Sequence, residues 1–165
     1  MAEGDATLAQ VVRSHLDVDP VTRQDFWQLI IKLVTVQSSE VAVIISTPYM
    51  DEAARCHRIG FMRNGEIITE GTPGQIRSLL DQRILELRGS PLHLLKQISA
   101  ENGDVEDVRA FGDRLHLRVK AGQSETVIKS LEHSIPLGGG NFIGARTIPP
   151  VLEDAFIYLS EQEHV

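Results

Sequence analysis

Between Ile45 and Ala53 the chain reads Ile-Ser-Thr-Pro-Tyr-Met-Asp-Glu-Ala, and this run holds the groups best suited to chemistry. Ser46 and Thr47 are placed to cap a helix, and Asp51 and Glu52 follow as an adjacent acidic pair. Such a pair invites a catalytic or magnesium-binding reading. Consecutive helical residues, however, point about 100° apart and do not converge on one ligand. Favourable interaction with the positive end of a helix accounts for them better. Pro48 has no side-chain donor or acceptor at all.

Elsewhere the candidates are weaker. Cys56-His57 has no second pair at metal-binding spacing and reads as helix-end packing, while His93, His116 and His133 fall on a helix, a strand and a helix. Gly138-Gly139-Gly140-Asn141 looks like a phosphate loop, but a strand follows it where a helix N-terminus is needed, so a flexible connection is expected. Arg55, Arg58 and Arg63 lie close in sequence and are expected to be a solvated helix flank and turn. No Ser-His-Asp constellation stands in a recognisable context.

The elements that must position these residues can be read from periodicity and punctuation. Asp19 is a suitable cap and Pro20 a suitable first residue for a helix running to about Gln37, with Phe26, Trp27, Ile30, Ile31, Leu33 and Val34 at helical spacing. Residues 1–18 carry only weak periodicity. Val41 to Ile45 is continuously apolar and β-branched, which predicts a strand buried on both faces, followed by a helix from Ser46 or Thr47 to about Cys56. Asn64-Gly65 between apolar runs predicts a hairpin, and Gly71-Thr72-Pro73 a short helix through Leu80.

From about Arg83 the order is strand (84–88), helix (91–99), strand (105–111), strand (114–120), helix (124–134), strand (142–147) and helix (151–161). Leu115, Leu117 and Val119 alternate with His116 and Arg118, the period-two pattern of a half-buried antiparallel strand. The β-α-β-β-α-β order is that of a ferredoxin-like sandwich. The expected organisation is therefore an α/β part at 1–80 and an α+β ferredoxin-like part at 81–165.

Composition bounds the function. With 165 residues, 42% hydrophobic and 24% charged, the chain has the profile of a globular protein with a core. A net charge of −7 argues against a nucleic-acid surface, which needs clustered Lys and Arg. One cysteine excludes an intrachain disulfide and a cysteine-based zinc site. No apolar run approaches the roughly 20 residues that cross a bilayer, and the N-terminus lacks the pattern of a signal peptide. A cytoplasmic location is expected, with membrane association only through a partner.

Several separated pieces resemble ABC-transporter ATP-binding subunits, in the family's order. Val18-Asp19-Pro20-Val21-Thr22-Arg23 resembles the D-loop, and Ser46 to Ala53 the switch segment. Arg58 to Glu66 resembles the closing hairpin and Glu70-Gly71-Thr72-Pro73 its exit. Val151-Leu152-Glu153-Asp154-Ala155-Phe156 resembles the close of the accessory domain in drug-export-type subunits. The resemblance covers about residues 16–80 and the C-terminal helix.

It implies that Asp19 belongs to a segment crossing the interface with a second ATP-binding domain, that Thr47 borders the nucleotide, and that Pro48 stands where the family's histidine contacts the γ-phosphate. Proline cannot orient water or report phosphate loss. Such an exchange resembles the degenerate sites of tandem ABC ATPases.

The missing motifs matter equally. None of Lys32, Lys96, Lys120 and Lys129 follows a glycine, so there is no Walker A loop, and no Leu-Ser-Gly-Gly-Gln-like signature occurs. Val11 to Asp17 is at most a remnant of Walker B. The resemblance thus implies the C-terminal portion of a drug-export-like or tandem subunit with its accessory domain. The intact subunit would use ATP and Mg2+, with a second ABC ATP-binding domain and an ABC transmembrane subunit as partners, peripheral to the inner membrane. This chain alone is expected to bind neither cofactor tightly and to be catalytically inactive. The alternative is a non-enzymatic regulatory or ligand-sensing protein using the ferredoxin-like part.

Overall fold

A parallel strand pair cannot be closed by a tight turn; it needs a crossover, usually a helix. The front of the chain is built this way. Gln10–Arg13 (β1) pairs in parallel with Val43–Ser46 (β2), and Pro20–Val36 (α1) lies in the connection. A computed structural model describes residues 10–13, 20–36 and 43–162. Asp19, its capping role and its expected D-loop role lie outside the described residues. The strand β1 was not legible in the weakly periodic N-terminal segment.

The structure departs from the expected pattern at β2 and at the helix after it. Burial on both faces does not hold for β2: its residues alternate between half-buried and exposed, and Ile44 is 53% exposed. Among the described residues β2 pairs only with β1, and Ile44 and Ser46 stay exposed. The next helix is also far shorter than a run to Cys56. It comprises only Met50–Ala53 (α2), with Tyr49 rather than Ser46 or Thr47 at its N-cap.

In the second part, Ile59–Arg63 (β3) and Glu66–Gly71 (β4) form the expected antiparallel hairpin. Asn64 (φ 52°) and Gly65 (φ 87°) supply the two left-handed residues of its tight turn. Pro73–Ser78 (α3) follows with reciprocal capping: Gln75 N–H donates to Thr72 Oγ1 at 3.2 Å, and Thr72 N–H to Gln75 Oε1 at 2.8 Å.

Ile84–Ser90 (β5), Leu92–Ala100 (α4), Val105–Phe111 (β6), Arg114–Val119 (β7), Ser124–Leu137 (α5) and Asn141–Ile148 (β8) come next, in the β-α-β-β-α-β order. The four strands form one sheet of order β6-β7-β5-β8, with every neighbouring pair antiparallel. Leu85, Leu87, Leu115, Leu117 and Val119 line one face and pack with Leu95 of α4 and Val127, Leu131 and Ile135 of α5 in a fully buried core.

Leu152–Glu161 (α6) closes the described chain. Its Phe156 ring meets Phe61 of β3 edge-on at 5.2 Å, and the Arg63 guanidinium donates to the Ser160 carbonyl (2.7 Å) and the Gln162 carbonyl (3.2 Å). These are the carbonyls that a helix end leaves without intrahelical donors.

The architecture is mixed α/β with antiparallel sheets as well as the parallel pair. Contacts divide it into two compact units, Met1–Arg55 and Cys56–Val165. The hairpin and α3, grouped by sequence with the front part, thus fall in the second unit.

Candidate functional site

The segment leaving β2 is the first candidate. Thr47 Oγ1 accepts the Tyr49 backbone N–H at 3.1 Å and donates to Glu52 Oε2 at 2.6 Å. A hydroxyl taking the amide two residues on is the local turn that Ser and Thr favour. Thr47 therefore shapes the turn into α2 without being its N-cap. Glu52 is 2% exposed and Asp51 is exposed, so the acidic pair splits into one buried and one solvated carboxylate. That outcome follows from the helical divergence of neighbours, but Glu52 is explained by the Thr47 hydroxyl as well as by the helix end.

Pro48 is exposed in the bend before α2, one residue outside the N-cap and not in the first helical turn. Among the described residues of this segment, Pro48 offers a phosphate nothing and Thr47 offers a hydroxyl already committed on both sides. The segment by itself does not fit a nucleotide phosphate.

The remaining sequence candidates separate. Arg55 lies over the Trp27 ring at 5.8 Å, Arg58 pairs with Glu70 at 3.2 Å, and Arg63 caps α6, so each guanidinium has its own task. The glycine run is a packed helix end and not a flexible connection. Gly138 and Gly140 amides bond back to Ser134 and Ile135 carbonyls at 3.0 and 2.9 Å, and a Cβ on Gly140 would lie 2.9 Å from Ile135. Among the described residues no three metal-binding side chains come together, and no helix is long and apolar enough to cross a membrane.

A second polar centre escaped the sequence reading. On the sheet face opposite the core, the register sets Phe111, Arg114, Arg88 and Gly144 in one cross-strand row, and Arg109, His116, Glu86 and Arg146 in the next. Glu86 is 5% exposed at the middle of this face. Its Oε2 accepts from Arg114 at 2.8 Å, and its Oε1 from Arg88 and Arg146, each at 3.1 Å. The Arg114 hydrogen bond outweighs the cost of burial and, with the charges of Arg88 and Arg146, holds the Glu86 carboxyl at about 2, well below the ordinary carboxylate range.

A third row, Asp107-Arg118-Ile84-Ile148, is reached by α6. Arg118 is 8% exposed, bonds Glu161 at 2.5 Å and Glu106 at 3.0 Å, and lies 5.5 Å from the Tyr158 ring centroid. The alternation Glu86/Arg88 and Arg114/His116/Arg118 marked this polar face in the sequence. The pairing of the strands did not follow from it.

No family model matches the chain. It is 41% identical over 61 residues to the probable multidrug ABC transporter ATP-binding protein YbhF of Escherichia coli (strain K12), a match spanning 37% of this chain and 10% of that protein. The Shigella flexneri protein of the same description matches equally. The daunorubicin/doxorubicin resistance ATP-binding protein DrrA of Streptomyces peucetius is 35% identical over 72 residues, 43% of this chain and 21% of that protein. The chain thus carries a segment homologous to ABC transporter ATP-binding proteins and spans only a small share of their length.

Proposed function

We propose that this chain is a portion of the ATP-binding subunit of an ABC-type exporter, bearing the D-loop, an altered switch and an accessory domain. The observation that carries this reading is the 41% identity over 61 residues to an ABC transporter ATP-binding protein. The parallel β1–α1–β2 unit with the Thr47-Pro48 segment directly after β2 agrees with it, as does the hairpin that follows. In this reading ATP and Mg2+ are held by the intact subunit, whose Walker A and signature motifs lie outside this sequence. A second ATP-binding domain meets it near Asp19, and a transmembrane partner ties it to the inner membrane from the cytoplasmic side. Pro48 takes the place of the γ-phosphate-sensing histidine, and residues 81–165 are the accessory domain. The strand order β6-β7-β5-β8, all antiparallel, supports a ferredoxin-like assignment for that domain.

Translation of the reading frame upstream of Met1 tests the assignment: a Walker A loop, a signature motif and a Walker B strand are expected in frame. A stop codon without them overturns it. The chain alone is expected to turn over ATP no faster than buffer. In a subunit with the complete motifs, Pro48→His is expected to raise turnover at least about tenfold, equivalent to about 1.4 kcal/mol of barrier. No gain would sink the idea that the missing histidine limits the site.

A second reading, a ligand-sensing protein, draws on the open arginine-rich sheet face. Thermal stabilisation by a non-nucleotide ligand, with none by ATP or ADP, would favour it.

A further inference from the structure

The three arginines around Glu86 exceed the needs of one carboxylate. Together the four side chains carry a surplus of two positive charges, on a chain whose net charge is −7. Asp113, 84% exposed, takes one further bond from Arg114 at 3.2 Å and still leaves a positive balance. The three arginine side chains are part-exposed, at 46%, 35% and 68% for Arg88, Arg114 and Arg146. A guanidinium has five N–H donors, and each of these commits only one or two to the neighbouring carboxylates. Glu86 therefore fixes a fan of guanidinia without exhausting it.

The neighbourhood leaves room above that fan. Gly144 stands beside Arg88 in its cross-strand row, and a Cβ built there meets nothing within 4 Å. Phe111, 62% exposed and stacked on His116 at 4.7 Å, borders the row at the other edge of the sheet. Glu161 of α6 reaches Arg118 and, at 3.8 Å, Arg109, on the side of the face away from Gly144, and Arg88, Arg114 and Arg146 stay part-exposed to solvent.

Charge placement selects the occupant. Arg88 and Arg146 sit on the Oε1 side of Glu86 and Arg114 on the Oε2 side. A compact anion centred on the cluster would meet the negative charge of Glu86 itself. Two linked anionic groups can straddle that carboxylate, one toward Arg114 and one toward Arg88 and Arg146. Arginine's planar fork is matched to phosphate oxygens.

We propose that the open sheet face formed by Arg88, Arg114 and Arg146 around Glu86, with space above Gly144, is a binding site for a small anion carrying two linked phosphate-type groups. This goes beyond the transporter reading and does not depend on it.

Calorimetric titration of the full chain with inorganic pyrophosphate and with monophosphate, without magnesium, tests the site. Saturable binding is expected, at least about tenfold tighter for pyrophosphate and weakening as salt is raised. Arg146→Gln and Gly144→Leu are each expected to weaken pyrophosphate binding at least about tenfold, because one removes a donor group and the other fills the open space. Glu86→Gln, which deletes the like charge, is expected to tighten it. Absence of saturable binding, equal affinity for the two anions, or binding unchanged in both Arg146→Gln and Gly144→Leu would each overturn the proposal. Arg146 is the most exposed of the three arginines, so its variant remains informative if the glycine variant does not fold.

Discussion

Glu86 contributes to the acid dependence of stability through the arginines that surround it. Its carboxyl titrates near 2 in the folded protein against an ordinary value of 4.5, chiefly because Arg114 bonds it and Arg88 and Arg146 add their charges. A depressed folded value means that the stabilisation is complete above about pH 4.5 and is lost as pH falls toward 2. Asp113, lowered by the same Arg114, acts in the same direction. Denaturant melts of the wild type across that interval should show stability falling with acid, and Glu86→Gln should flatten the fall. An unchanged acid limb in Glu86→Gln would mean that other carboxylates carry it. Glycine offers a second test at this scale. A Cβ on Gly89 would lie 2.3 Å from the Asn141 carbonyl oxygen and 2.8 Å from Leu95, so Gly89→Ala is expected to cost about 1–3 kcal/mol in chemical denaturation.

At the scale of elements, the core between the four-stranded sheet and α4 and α5 differs from the contact that seats α6. Leu131 is fully buried on α5, and Leu131→Ala is expected to lose about 2–5 kcal/mol of global stability by denaturant titration. The α6 helix is seated by its buried Leu152 and Ala155, by Phe156 on Phe61, by Arg63 on its terminal carbonyls and by Glu161 on Arg118. Phe156→Ala should therefore speed amide exchange in α6 while leaving the Leu117 and Leu131 amides protected. Loss of protection throughout would show that α6 and the sheet unfold as one unit. The short α2 teaches the converse lesson: a helix of four residues exists because Thr47 shapes the turn before it.

For the whole molecule, apolar residues remain uncovered in the front unit. Leu29 and Ile31 of α1 and Ile44 of β2 are each more than half exposed. The curated relatives are far longer than this chain, which spans 10% and 21% of their lengths in the matched regions. Within the proposed subunit those side chains belong under neighbouring segments of the same sheet. The longer protein should accordingly shield Leu29, Ile31 and Ile44 amides from exchange relative to this chain, and equal exchange rates would count against the reading. The second unit needs no such help, since its sheet and helices enclose a core of their own.

Local chemistry was legible from the residues alone. Asn64-Gly65 announced its hairpin, Gly71-Thr72-Pro73 the start of its short helix, and the alternation from Leu115 to Val119 its strand, because each depends on groups a few residues apart. The order of strands and helices after Arg83 was readable for the same reason. Long-range pairing decided the rest. An apolar run such as Val43 to Ile45 is compatible with one or two covering layers, and only its neighbours in space determine which. Glu86, Arg88, Arg114 and Arg146 are spread over 60 residues and converge because β5 lies between β7 and β8. Charge on alternate residues determined that these side chains would share a polar face; the register of three strands decided that they would meet at one carboxylate.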